Sequence, residues 1–215
     1  MRKIKEIGLN IVNSLFKRKI FLFHHIVSEA RFEEEVSVEA FQSFLKKYKF
    51  VSIHDLMKGR GDAALCFDDG YEDVFTLSFP ILKEMNIPFT LFLNSAALDT
   101  PGFLSSESVK SMIASGLCSL GSHGVHHIDL DKMTFEEARE ELIESKTDLE
   151  RLFSVEVLDY AYPHGIYTQE ILRFLKKNRV FTYAFSVSKA HVNPFSKRFK
   201  IPRINIDGAN ISSKA

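Results

Sequence analysis

Ala63-Ala64-Leu65-Cys66-Phe67-Asp68-Asp69-Gly70 runs five apolar residues straight into two adjacent carboxylates and a glycine. A short continuous apolar run stopped by charge and glycine predicts a strand buried on both faces. Crowding two anions at its end is unfavourable unless a cation is near. Adjacent residues on an extended chain point opposite ways, but a turn at Gly70 can bring both carboxylates to one cleft. One can then bind a metal while the other stays free as a base. Asp69-Gly70 is equally the composition of a plain turn before a helix, so the stretch needs a partner elsewhere in the chain.

Outward from this strand the same pattern repeats. Short β-rich runs lie at 21–27, 50–53, 89–93, 117–122, 155–162, 181–187 and 199–206, and each is a strand candidate. Helical periodicity falls between them at 38–48, 74–85, 135–153 and 169–177. The 135–153 segment carries Phe135, Ala138, Leu142, Leu149 and Leu152 on one stripe, behind a capping box of Thr134 and Glu137. Strand-then-helix alternation means an α/β fold with a parallel sheet, open or closed into a barrel. In either form the chemistry gathers at the carboxyl ends of the strands.

The chain has 215 residues, of which 45% are hydrophobic and 20 are Phe, ample for one buried core. Lys plus Arg equals Asp plus Glu at 28 each, so no global field draws nucleic acid or an anionic surface. Cys66 and Cys118 lie in apolar stretches and read as free buried thiols rather than a disulfide framework. No apolar run approaches the roughly 18 residues of a membrane span, and the N-terminus lacks a signal peptide's uninterrupted apolar region. A cytoplasmic protein is therefore expected. Residues 1–19 form the one local asymmetry: Arg2, Lys3, Lys5, Lys17, Arg18 and Lys19 stand against Glu6, with Ile4, Ile7, Ile11 and Leu15 at helical spacing. This predicts a basic amphipathic helix, which either covers the end of its own domain or makes a peripheral membrane or partner contact. Residues 20–215 form the expected catalytic domain.

Two further motifs end apolar runs. In Gly121-Ser122-His123-Gly124-Val125-His126-His127-Ile128-Asp129-Leu130, His123 and His127 are four apart. One helical turn or a tight loop aims both imidazoles at one point, and two His with one Asp leave an open position on a late divalent metal. His126 reads as a solvated neighbour. In Tyr160-Ala161-Tyr162-Pro163-His164-Gly165, Pro and Gly fix a loop whose backbone N–H before Pro163 could face a developing oxyanion. Adjacent acids after a strand also suggest a phosphatase of the haloacid dehalogenase type, although that chemistry wants DxD.

These residues resemble the polysaccharide deacetylases of carbohydrate esterase family 4. Cys66 to Tyr71 is similar to the family's TFDDG motif, Ser122 to Leu130 to its SHxxxHxxL motif, and Tyr160 to Gly165 to the variant FAYPYG motif of one branch. Phe23-His24-His25-Ile26 resembles that branch's opening YHxV segment, and Ile201-Pro202-Arg203-Ile204 its late LPRxxI segment, so the resemblance spans about residues 20–206. It implies a distorted (β/α) barrel of about seven parallel strands, TIM-barrel-like, with Asp68 as catalytic base and Asp69, His123 and His127 as ligands of zinc, cobalt or nickel. Tyr162 and Pro163, with Arg203, would serve the substrate and oxyanion. The implied activity is metal-dependent removal of N-acetyl groups from an amino sugar, oligosaccharide or cell-surface polysaccharide precursor, with no nucleic acid partner. Several positions depart from the pattern. Gly124 replaces a Ser or Thr, Ala161 an Arg and His164 a Tyr, and with no Trp the family's Trp-containing motif has no counterpart. The usual acid histidine near the C-terminus is also missing. His24 is the first candidate for that role, ahead of His164 and His191. The missing groups leave open a domain that binds saccharide and metal without turnover.

Overall fold

A computed structural model describes residues 18–32, 35–193 and 196–212. Seven strands close into a parallel barrel: β1 (Lys19–Phe23), β4 (Ala63–Phe67), β5 (Phe89–Leu93), β6 (Cys118–Ser122), β7 (Asp159–Ala161), β8 (Tyr183–Val187) and β9 (Ile201–Asn205), in that order around the ring. The expected closed barrel of about seven strands is therefore the architecture. Two short strands, β2 (His25–Val27) and β3 (Glu35–Ser37), pair with each other outside it. The expected strand at 21–27 is thus two elements, interrupted at His24.

Alternation along each strand divides the core. Ile20, Leu22, Ala64, Cys66, Phe92, Ala161, Phe185 and Ile201 fill the barrel interior. Phe21, Phe23, Leu65, Phe67, Phe89, Leu91 and Leu93 point outward beneath the helices. This is the two-residue period of a pleated strand, with both faces apolar because both are covered. The outer layer is aromatic: the Phe23 ring meets Phe41 and Phe44 edge-on at 5.2 and 5.5 Å. Each such buried ring contributes about 1.5–3 kcal/mol by area alone.

Among the described residues six α-helices follow in chain order: α1 (Val38–Leu45), α2 (Ile53–Met57), α3 (Phe79–Glu84), α4 (Ser106–Ala114), α5 (Phe135–Phe153) and α6 (Gln169–Asn178). The strand expected at 50–53 is a correction. Phe50 makes a single bridge to Ala63, and Ser52 accepts from the Asp55 N–H to start α2, so the cap overrides the β-prone composition. The helix expected over 74–85 begins as a π turn, Val74–Ser78. Pro80 has no N–H for the carbonyl four residues back, and the wider turn absorbs the mismatch. The capping box of Thr134 and Glu137 opens α5 as expected, although Leu152 is exposed and Phe153 is the buried residue at its end. Helix α4 escaped sequence reading because only Val109 and Met112 of its residues are buried. The expected 1–19 helix lies outside the described residues except for Arg18, which bridges to Val192, and Lys19, which begins β1. Among the described residues no helix is long and apolar enough to cross a membrane.

Candidate metal centre and active site

At the carboxyl end of β4 the chain continues the ladder for one more residue, with the Asp68 N–H donating to Phe23 O at 3.2 Å. It then turns sharply: Asp69 and Gly70 both adopt left-handed conformations, φ 68° and 81°. A Cβ on Gly70 would lie 2.5 Å from Leu93 Cδ2, so only glycine fits this turn. The reversal sends the two adjacent carboxylates to different partners.

Asp68 points into the barrel, 2% exposed, and accepts both Arg203 Nη1 at 2.6 Å and Nη2 at 2.7 Å. Burial works to raise its pKa, but the Arg203 guanidinium outweighs it and holds the carboxyl below its ordinary value. Asp68 is ionised at neutral pH and fixed by a bidentate pair.

Asp69 faces the histidines. The His123 N–H extends β6 onto Leu93 O at 2.8 Å, and its Nδ1 lies 2.8 Å from Ala161 O. A carbonyl only accepts, so Nδ1 carries the proton and Nε2 presents a lone pair. Burial lowers the His123 pKa despite the neighbouring acids, which keeps the ring neutral. That Nε2 lies 3.5 Å from Asp69 Oδ1, and His127 Nε2 lies 3.2 Å from the same oxygen. Asp69 Oδ1 is buried with no hydrogen-bond partner. Asp69, His123 and His127 each bring one donor atom within 4.8 Å of the others. A carboxylate oxygen converging with a neutral imidazole lone pair fits a divalent cation.

The surroundings brace this arrangement with residues the sequence did not reveal. Glu141 of α5 accepts the Val125 N–H at 2.6 Å and the His126 N–H at 3.2 Å, and lies 2.6 Å from His126 Nδ1. Gly124, at φ 88°, would carry its Cβ 3.1 Å from Glu141 Oε2. The hydroxyl residue usual at position 124 is thus replaced by glycine plus a carboxylate from the neighbouring helix. Asp129 Oδ1 lies 2.5 Å from His164 Nδ1, and the His164 ring meets His127 edge-on at 4.6 Å. Acidic residues on α5 and polar residues after the second histidine were the available signals, but neither fixes a partner.

A cavity of about 500 Å³ opens over the centre, with His24, Asp68, Asp69, His123, His127 and His164 among its lining. His24 is half-buried there. His191 is exposed beside the Val192–Arg18 bridge at the opposite end of the barrel, away from the cavity. Three further expectations need correction. The Tyr162 N–H donates to Phe185 O at 3.0 Å, as part of the barrel ladder, so it is not available to an oxyanion. Pro163 has no N–H and is buried, where it shapes the turn that presents His164. Arg203 is 0% exposed and binds Asp68 rather than meeting the cavity. The positive charge absent at Ala161 thus reaches the acidic pair from β9.

Comparison with known proteins agrees with this site. The family model for polysaccharide deacetylase matches residues 57–184, more than half of the chain. The chain is 29% identical over 113 residues to YxkH of Bacillus subtilis, which is named as a polysaccharide deacetylase; the match covers 53% of this chain and 40% of that protein. It is 27% identical over 205 residues to the poly-beta-1,6-N-acetyl-D-glucosamine N-deacetylase of Staphylococcus aureus, covering 85% of this chain and 68% of the relative. The structure of IcaB from Ammonifex degensii superposes with a TM-score of 0.80 at 21% identity, over 93% of this chain and 95% of that one, a likeness of fold.

Proposed function

The chain belongs to the polysaccharide deacetylase family, and from that premise we propose that it is a metal-dependent hydrolase that removes N-acetyl groups from an amino sugar within a glycan. The observation that carries this reading is the division of labour between adjacent acids. Asp69 has an unpartnered buried oxygen facing both His123 and His127, while Asp68, 3.6 Å from His123 Nε2, is bound by both terminal nitrogens of Arg203, ionised and part of the same cavity's lining. Asp69, His123 and His127 would hold the ion, with zinc the first candidate and cobalt and nickel suited to the same donors. A bound divalent ion would act as a Lewis acid on the amide carbonyl and make water a better nucleophile.

The chain's own residues supply the remaining steps. Asp68 takes a proton from the attacking water as its oxygen bonds to the acetyl carbon. The first backbone N–H past Tyr162 and Pro163 is that of His164, which makes no hydrogen bond among the described residues and belongs to a cavity-lining residue. It is a free donor that could serve the oxyanion. As the C–N bond breaks, the leaving nitrogen takes a proton from His24, giving acetate and a free amine. The test is acetate release from poly-N-acetylglucosamine, chito-oligosaccharides and N-acetylated sugar nucleotides, with zinc, cobalt and nickel supplied in turn after chelation. Metal-restored release supports the reading. Metal-dependent glycan binding without any release would replace it with a binding domain.

A further inference from the structure

On the flank of the barrel a hollow of about 330 Å³ lies between helix α6 and the segment that returns the chain to β9. It shares no lining residue with the cavity over the metal centre. Lys176 and Arg179 stand on the helix side, and Lys197, Arg198 and Lys200 face them from the segment. No acidic side chain lines it. The floor is apolar, with Leu172 2% and Phe199 5% exposed.

Basic residues in the last turn of α6 have a local reason, since they complement the negative end of the helix dipole. The three cations of the facing segment have none. Setting them against a helix end of the same sign is unfavourable unless an anion lies between. Composition does not force the arrangement either, because acids and bases are equal at 28 each over the chain. Among the described residues none of the five cations forms an ion pair with Asp or Glu. The segment is nonetheless fixed. Arg198 O accepts the Ala184 N–H at 3.0 Å, Phe199 O accepts the Tyr162 hydroxyl at 3.1 Å, and the Lys200 N–H donates to Lys197 O at 2.8 Å. The Lys200 ammonium lies 4.6 Å from the centre of the Tyr167 ring and the Arg198 guanidinium 5.8 Å from that of Tyr183, so aromatic faces hold two of the charges. Arg179 closes the helix in a left-handed conformation, φ 51°, and its N–H takes Leu175 O, which leaves one fewer free carbonyl at the helix end to oppose an anion.

Unpaired cations on two facing walls, held in place over an apolar floor, suit a compact ligand with more than one negative charge and several acceptor oxygens. Phosphate groups have that chemistry, with arginine forks and lysine point charges as their usual partners. A single carboxylate would leave most of the charge unmatched. We propose that this hollow binds a soluble ligand carrying a phosphate ester or diphosphate, seated between Lys176 and Arg179 on one side and Lys197, Arg198 and Lys200 on the other. The volume, at the lower end of ligand pockets, admits such a group with a small organic part. A flat anionic membrane would meet only the rim. The site is separate from the deacetylase reading and stands or falls without it.

The test is calorimetric titration of the full chain with pyrophosphate and with inorganic phosphate. Pyrophosphate should bind at one saturable site with a Kd below about 1 mM, and more tightly than inorganic phosphate. Lys176→Glu and Arg198→Glu should each weaken it by about tenfold or more, the size of one charge-assisted bond lost. Lys177→Glu changes the net charge equally from the same helical turn but lies outside the hollow, and should alter the Kd by less than about threefold. Thermal melts establish that each variant is folded. Where a charge reversal does not fold, Lys176→Ala and Arg198→Ala ask the same question, with an expected loss of about threefold each. Absence of saturable binding overturns the proposal. So does an equal loss in Lys177→Glu, which would mean a diffuse field rather than a site. Binding to phosphatidylglycerol vesicles with none to pyrophosphate would also overturn it, in favour of a lipid surface.

Discussion

At the carboxyl end of the barrel Asp69 stands 3.2 Å from His127 Nε2 and 3.5 Å from His123 Nε2 without a hydrogen bond to Oδ1, whereas at the amino end Asp159 closes to 2.8 Å on His54 Nε2. Both aspartates are nearly buried and both partners are imidazoles. At the amino end a single ring, carried by the short helix α2, donates to Asp159 Oδ2 and leaves Asp159 Oδ1, like Asp69 Oδ1, without a partner; what differs is the number of imidazoles converging on one oxygen. At the carboxyl end two rings converge on one oxygen. His123 is pinned by its own backbone and by Ala161 O, while His127 is held in a left-handed conformation, φ 57°. A pair free to close becomes a latch, and a pair held open by backbone on both sides becomes a cation site.

The sharpest way to break this contrast is Asp68→Asn. Removing the base while leaving the ligands should lower acetate release by about 10²–10⁴-fold with metal content by elemental analysis unchanged. Full turnover in that variant would remove Asp68 from the chemistry. Next is Arg203→Met, which strands a buried carboxylate and should lower the unfolding free energy by about 3–5 kcal/mol in denaturant titrations. Adding Asp68→Asn to that variant should recover much of the loss, and a loss in the single variant below about 1 kcal/mol would contradict a buried pair.

The smallest effect belongs to the latch. Hydrogen bonding to Asp159 raises the His54 pKa above its ordinary 6.5, against the opposing effect of burial. The stabilisation is therefore complete below that ordinary value and fades as pH rises through the raised one. Melts of the wild type and His54→Gln between about pH 5.5 and 8.5 should converge toward the alkaline end, by about 1 kcal/mol or less. A difference constant across that window would show that the charged form does not hold the latch. His25, also raised by its bond to Asp73, is common to both proteins and cancels in the comparison.

Legibility followed the range of the interactions. The strands at 63–67 and 89–93 were readable to the residue because five apolar positions between breakers leave few alternatives. Helix α5 was readable through its cap and stripe. The 50–53 segment misled because hydrophobic composition cannot reveal that Ser52 will cap a turn onto Asp55. In the site, the double acid and the histidine spacing pointed to a shared metal site, and the family resemblance implied Asp69, His123 and His127 as its ligands. Glu141 was invisible because a glutamate on a polar helix looks like any solvated one until α5 packs behind the histidine loop.

The order of apolar strand, acid and turn, repeated along the chain, determined by itself the alternating α/β fold and the end of the strands where chemistry collects. Sequence neighbours along one backbone share a fixed geometry, so pleat and loop spacing carry that information locally. Only the closed barrel decided what the remaining residues do. Arg203 meets Asp68 across 135 positions, the Tyr162 N–H is taken by β8, and the Phe103 ring reaches Tyr71 from another loop. Those pairings depend on which strands become neighbours when the sheet closes on itself, a choice made by the packing of the whole molecule.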